Sequence, residues 1–311
     1  MVKYASSPYG TSATSYENAV LFLVFNRPDT TRQVFEAIRQ ARPPRLYVAA
    51  DGPRAQRAGE AERCATTRQI ATAVDWPCEV MTLFRDENLG CKRAISSAIT
   101  WFFEHEEQGI ILEDDCLPAQ SFFGFCQYML EKYKENKDIW MINGFNPRYP
   151  GVNSSECFLS QNPSVWGWAS WRDRWKKYDV KMNYWDNSKE FSLNNKVSNH
   201  VLSYYKKAFN NAKNNLLETW AYQLSCLILI KKGYVVKPYT NLISNIGVIG
   251  LHSSKKDLNH FIDVGEFNIK ENKKIEFDLK EDLWFYQTRL KPKLIDLPFR
   301  ILRKLKQLVL S

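Results

Sequence analysis

The chain has 311 residues, 44% of them hydrophobic and 14% aromatic, and a formal net charge of +9. That is enough apolar material for a large core in one or two domains. The basic balance suits nucleic acid, anionic lipid or a phosphorylated substrate, but no nucleic-acid-binding motif accompanies it, which leaves lipid and phosphate. The excess also shifts along the chain. Residues 1–100 hold 11 Arg and 2 Lys, whereas residues 181–311 hold 3 Arg and 19 Lys.

Residues 1–17 are polar, lack the apolar core of a signal peptide, and read as a flexible tail. Ala19–Phe25 reads as a buried strand stopped by Asn26-Arg27-Pro28. Asp29 or Thr30 is placed to cap the helix that follows, to about Ala41. Arg45–Ala50 reads as a second strand ending at Asp51-Gly52-Pro53, Ala58–Val74 as a helix, and Glu79–Phe84 as a third strand. Cys91–Glu107 reads as a helix and Gly109–Leu112 as a fourth strand. Four alternations of strand and helix argue for a parallel sheet covered by helices, a Rossmann-like α/β architecture. Right-handed crossovers then put the strand C-termini on one edge, where ligands bind. Asn26, Asp51, Arg85–Asn88 and Asp114-Asp115 all fall on that edge.

Further on, Ser121–Tyr133 reads as a helix and Ile139–Ile142 as a short strand. Val165–Tyr178 carries Trp166, Trp168, Trp171 and Trp175 in a basic stretch. Val197–Lys213 and Thr219–Lys231 read as helices, Tyr234–Pro238 as a strand, and Asn241–Gly250 as a loop leading to His252. Residues 255–290 are highly polar and carry no clear pattern. The seven cysteines have no C-x-x-C spacing and read as reduced, buried thiols; the apolar runs are too short to span a bilayer. A cytoplasmic body is expected.

The fourth strand ends in Glu113-Asp114-Asp115. Three adjacent carboxylates repel, and a divalent cation such as Mn2+ or Mg2+ offsets that repulsion. If the cation also holds a diphosphate, the site neutralises a leaving group. The plainer alternative is a solvated acidic turn. Lys92 or Arg93, at the start of the third helix, can add charge to the same pyrophosphate or simply face solvent.

From about Val20 to His252 the sequence resembles the bacterial glycosyltransferases related to N-acetylglucosaminyltransferase I, within the GT-A superfamily. The resemblance rests on Phe25-Asn26-Arg27-Pro28, Asp51-Gly52-Pro53, Asn88-Leu89-Gly90, Ile110–Asp115 followed by Phe122-Phe123, Trp166-Gly167-Trp168, and Asn241–Gly247. It implies a UDP-linked sugar donor and a divalent metal. In that frame Arg27 and Asp51 match uridine-holding residues, Asp114 the ribose-side carboxylate, and Asp115 the metal ligand. His252 corresponds to a late histidine near the metal or phosphates. Relatives carry a catalytic Asp just after the tryptophan matched by Trp220, but here that position is Ala221. An inverting transfer needs a base for the acceptor hydroxyl. Glu218, three positions back, is the substitute if a helix puts both on one face; the alternatives are a naturally weak chain or an engineered base-to-Ala change.

Trp166 and Trp168 are expected near the site, with Trp220, as stacking surfaces for the acceptor, and Trp171 and Trp175 in packing. Leu294–Leu310 places Leu294, Leu297, Ile301, Leu305 and Leu308 against Arg300, Arg303, Lys304 and Lys306. This reads as a basic amphipathic helix for an anionic membrane surface, with packing on the body as the alternative. The expected organisation is therefore a tail (1–17), a nucleotide-sugar half (18–145), an acceptor half (146–265), and a polar linker with a basic helix (266–311). The expected activity is metal-dependent, inverting transfer of a hexose or N-acetylhexosamine from a UDP-sugar to a bacterial glycan or lipid-linked glycan, at the inner face of the cytoplasmic membrane. A sugar-nucleotide nucleotidyltransferase and a non-catalytic glycan-binding module are the alternatives. The first would want a Gly-rich loop after the first strand, which Phe25-Asn26-Arg27-Pro28 lacks.

Overall fold

Ala19–Val24 is apolar at every position, so a strand there needs cover on both faces. It has that cover: β1 (Ala19–Val24) is buried throughout. Val20 and Phe22 face one core with Val34 and Ile38, while Leu21 and Leu23 face another with Ile99, Phe102, Leu227 and Ile228. These contacts come from a computed structural model, which describes residues 16–186, 191, 193–194, 196–247, 261–270 and 274–290.

The first half follows the strand–helix alternation. After β1 come α1 (Pro28–Ala41), β2 (Arg45–Ala50), α2 (Glu60–Ala71), β3 (Glu79–Phe84), α3 (Gly90–His105) and β4 (Gln108–Glu113). β1 pairs in parallel with β2 and β4, and β2 with β3. α1 starts at Pro28, whose fixed φ suits the first helical position, and no side chain caps it. Neither Asp29 nor Thr30 is therefore the cap. β3 is an edge strand, and it exposes Val80 and Phe84.

The second half continues the same sheet. Its elements are β5 (Cys116–Pro118), α4 (Ser121–Tyr133), β6 (Ile139–Asn143), β7 (Cys157–Ser160), β8 (Trp168–Trp171), α5 (Arg172–Trp175), α6 (Asn199–Lys213), α7 (Ala221–Ile230), β9 (Tyr234–Pro238), β10 (Ile243–Asn245) and α8 (Leu279–Arg289). The eight-stranded sheet has the order β3-β2-β1-β4-β8-β6-β9-β7. β8 runs antiparallel to β4 and β6, and β7 antiparallel to β9, so the other six strands share one direction. The mostly parallel α/β sheet flanked by helices is thus the architecture that the alternation implied. β5 and β10 form a separate antiparallel pair.

Two features depart from the sequence reading. The tryptophan-rich stretch is an inserted central strand and a short helix, with Trp168, Trp171 and Trp175 at 1%, 4% and 4% exposure. Residues 266–290, read as a polar linker, lay described segments on the body. Phe267 and Tyr286 are buried, and the Phe267 N–H donates to Ser121 Oγ at 2.9 Å. All seven cysteines are free, four of them buried. No helix among the described residues is long and apolar enough to cross a membrane. His252, the basic segment 294–311 and residues 1–15 of the tail lie outside the described residues.

Candidate active site

The ends of β1, β2, β3 and β4 bring four loops together at one edge of the sheet. Asp51, just past β2, binds four of its neighbours there. Its Oδ1 accepts the N–H groups of Gly52 (3.0 Å) and Leu89 (2.9 Å); its Oδ2 accepts the Gly90 N–H (3.1 Å) and Asn88 Nδ2 (3.0 Å). A carboxylate offers about four lone-pair sites, and all four are engaged. Burial raises the Asp51 carboxyl, and these N–H groups oppose the rise. The loops touch so closely that a Cβ on Gly52 would lie 2.4 Å from the Glu87 carbonyl carbon. Asp51 therefore joins the β2 and β3 loops and the start of α3. Its four hydrogen bonds within the protein give it a loop-joining role at the place where uridine contact was expected.

Asn26 behaves similarly. Its Nδ2 donates to Glu60 Oε1 at 2.8 Å, and Glu60 is 1% exposed. Arg54 completes the cluster through its backbone N–H (2.7 Å to Oε2) and its Nη2 (2.5 Å to Oε1). The Arg54 guanidinium holds the Glu60 carboxyl down to about 2. Nothing in the sequence singled out Glu60 or Arg54. An acid in the first turn of a helix is ordinary, and its partner six residues earlier carries no motif.

The acidic run is held by Arg27. Its Nη1 lies 2.5 Å from Asp115 Oδ2 and 3.7 Å from Asp114 Oδ1. Asp114 Oδ2 accepts the Phe25 N–H at 3.1 Å, tying the end of β4 to the end of β1. Asp115 Oδ1 accepts Asn245 Nδ2 at 3.2 Å, from β10. A Cβ on Gly247 would stand 2.5 Å from Asp115 Oδ2, so that position has no room for a side chain. The β5–β10 pair thus delivers Asn245 and Gly247 to the acidic edge. Burial raises the carboxyls of Glu113 and Asp114, the charge of Asp115 adds to this, and Arg27 opposes it.

Lys92, Glu218 and Asn215 form a second group. Glu218 Oε1 accepts the Lys92 N–H at 3.2 Å, capping α3, and Lys92 Nζ donates to Asn215 Oδ1 at 2.8 Å. Arg93 is exposed. α7 begins at Ala221, so Glu218 lies in the preceding loop and the two do not share a helix face. The loop instead turns Glu218 to the strand-end edge. Burial lifts the Cys91 thiol to about 12, and the charges of Glu113, Glu218 and Asp51 add to the rise. Ala221 packs against the core beside Trp220.

The tryptophans separate. Trp168 and Trp220 are 1% and 3% exposed and stack on each other at 6.0 Å. Their rings are core, which corrects their expected role as acceptor platforms. Trp166 is half-buried and sits edge-on to Phe145 at 4.7 Å, so it alone of the three retains accessible surface. Among the described residues, no group of three or more His, Cys, Asp or Glu side chains is arranged to hold a metal ion.

No family model and no curated protein matches the chain. Among solved structures, it is similar to UDP-glucose pyrophosphorylase complexed with UDP-glucose, with 8% identity over 74% of this chain and 94% of that one and a TM-score of 0.38. The apo form of UDP-glucose pyrophosphorylase gives 9%, 74%, 93% and 0.37. HddC from Yersinia pseudotuberculosis gives 9% identity over 50% of this chain and 77% of that one, with a TM-score of 0.29. Likeness of this degree carries no argument about activity. What defines the chain is its mostly parallel α/β sheet with an acidic, arginine-paired strand end.

Proposed function

We propose that this protein is a glycosyltransferase of the GT-A type, moving a hexose or N-acetylhexosamine from a UDP-sugar to a bacterial glycan. The observation that carries the reading is the strand-end cluster Arg27–Asp114–Asp115, clasped by Asn245 and Gly247. Three consecutive carboxylates stand at one arginine; burial raises Glu113 and Asp114, and the charge of Asp115 adds to the rise. A divalent cation fits that surplus. Asp115 and Asp114 would hold it, and a Mg2+ or Mn2+ ion bound by one or two carboxylates takes its remaining ligands from phosphates and water. When bound, the ion neutralises the departing diphosphate.

The chain's own groups do the rest. Arg27 is close enough to Asp115 to move between that carboxylate and an arriving phosphate oxygen. Asp51 and Glu60 keep the loops of the edge in place. Glu218 is the base we assign, because Ala221 carries no ionisable group and Glu218 shares the edge with Glu113. It takes the acceptor hydroxyl proton as the oxygen attacks the sugar carbon. A sugar-nucleotide nucleotidyltransferase is the second reading; it would want a glycine-rich turn between β1 and α1, where this chain runs into Pro28 instead.

The test is UDP binding and UDP-sugar hydrolysis by the full chain, with and without Mn2+. Mn2+-dependent UDP affinity together with turnover of one UDP-sugar supports the reading. Absence of UDP affinity at millimolar Mn2+ overturns it.

A further inference from the structure

The large sheet has two edges, β7 and β3, and the chain treats them differently. At β7 the outer side is occupied: the Leu159 N–H donates to the Glu276 carbonyl (2.8 Å), and the Asp278 N–H donates to the Leu159 carbonyl (3.0 Å). At β3 no described residue takes that place. Edge strands are ordinarily blunted by Lys, Pro or a bulge. β3 contains neither Lys nor Pro, and it keeps unbroken register with β2 from Glu79 to Phe84. It also leaves Val80 and Phe84 37% and 38% exposed.

The backbone fixes which residues of β3 look outward. The Glu79 N–H donates to the Pro44 carbonyl (2.9 Å) and the Arg85 N–H to the Ala50 carbonyl (3.0 Å), both on the β2 side. Backbone groups alternate along a strand, so Met81 and Leu83 also turn theirs to β2. Val80, Thr82 and Phe84 therefore turn their N–H and C=O groups away from the sheet, where no described residue bonds them. The side chains alternate too. Phe84 lies on the α2 face, under the Arg68 guanidinium at 5.0 Å, and Val80 and Thr82 share that face. Met81 and Leu83 lie on the other face, against the core that holds Ile99 and Phe102 of α3.

This edge is complementary to itself. In an antiparallel pair, residues whose backbone groups face outward meet residues of the same kind. With Thr82 opposite Thr82 of a second copy, Val80 meets Phe84 and Phe84 meets Val80, and each pair exchanges two N–H···O bonds. On the other face Met81 meets Leu83, and Glu79 meets Arg85. Arg85 already lies on that face, where its Nη2 donates to Ser97 Oγ of α3 at 2.6 Å. A shift of two residues one way sets Glu79 against Glu87 and Val80 against Asp86; the other way it sets Arg85 against Pro77. Of these registers, only the one centred on Thr82 matches apolar with apolar and charge with opposite charge. We propose that β3 is a dimerisation edge, pairing antiparallel with β3 of a second copy about Thr82 and continuing the sheet across both chains. A two-fold contact of this kind closes on itself. The two β3 strands run in opposite directions, so the two acidic edges point away from each other. The dimer does not rest on the glycosyltransferase reading.

Sedimentation velocity on the full chain, across a micromolar concentration series, tests this. The expected result is a reversible equilibrium between monomer and dimer. Thr82→Lys sets two ammonium groups directly opposite each other and raises the dimer dissociation constant about tenfold or more. Thr82 is exposed, so the variant monomer should fold, and a thermal melt checks that. Glu79→Arg and Arg85→Glu each oppose like charges and weaken the dimer singly; combined, they restore opposite charges and recover most of the association. A chain that stays monomeric throughout the series overturns the proposal. So does a dimer that Thr82→Lys leaves intact, or a double variant no stronger than its singles, because the contact then lies elsewhere. UDP titration of the wild type and of Thr82→Lys separates the two readings. UDP affinity in a chain that never dimerises sinks the dimer alone, and a β3 dimer without UDP affinity sinks the glycosyltransferase alone.

Discussion

Asp115 is the residue on which the functional reading turns. It is at a strand end, partly accessible, and its partners are side chains rather than core. Asp115→Ala is therefore expected to leave the fold intact and to abolish Mn2+-dependent UDP binding; titration of UDP with and without Mn2+ checks it. Unchanged Mn2+ dependence would remove Asp115 from the metal role. Glu218 belongs to the same scale. Its carboxylate caps α3, and Gln keeps an oxygen that accepts the Lys92 N–H. Glu218→Gln should hold the melting temperature and the UDP affinity while lowering kcat by about 10²–10⁴-fold, the usual contribution of a general base. Ala221→Asp should then change little. A rise in kcat for Ala221→Asp, with no loss for Glu218→Gln, would return the base to position 221.

At the scale of elements, the site is set by polar links between loops rather than by the strands themselves. Glu60 is the clearest case. Its folded carboxyl is held near 2 by Arg54, below the ordinary 4.5. A depressed carboxyl stabilises the fold above its unfolded value, and that contribution is lost as pH falls from about 4.5 toward 2. With Arg54 partly in solvent, the contribution is on the order of 2 kcal/mol. Urea melts at pH 6 and pH 3 should show the loss in the wild type and much less of it in Glu60→Gln. Equal pH dependence in both would assign acid sensitivity to other carboxylates. The same distinction decides what the sequence made legible. β1, β2, β3 and α4 were readable because continuous apolar runs or a helical period mark them locally. β5, β7, β8 and β10 are three or four residues long and exist through pairing with distant partners, so no local pattern announces them. The edge position of Asp51 and Asn26 was readable from topology. Their partners were not, because a carboxylate aimed at Leu89 and Gly90 looks in sequence like one aimed at a ligand. The tryptophans misled for a related reason: composition gives the ring but not the face it packs.

For the molecule as a whole, charge is unevenly placed, and the Lys-rich second half ends in residues 294–311. The expected amphipathic pattern there puts Arg300, Arg303, Lys304 and Lys306 elsewhere on the wheel from a row of leucines and Ile301. Each basic residue near an anionic surface contributes about 1 kcal/mol, and the attraction fades beyond a Debye length. Four such residues with a buried apolar face suffice for reversible attachment. Removal of 294–311 should therefore lower binding to vesicles containing anionic lipid, and wild-type binding should weaken as salt is raised. UDP affinity should be the same in both forms, because the acidic edge is built from residues 25–115 and 245–247. Vesicle co-sedimentation across a salt series, with UDP titration as the parallel measurement, reads both. A truncated chain that binds vesicles as before puts the membrane contact elsewhere on the basic surface. A truncated chain that no longer folds makes the segment part of the body, packed by its leucines, and removes the membrane role.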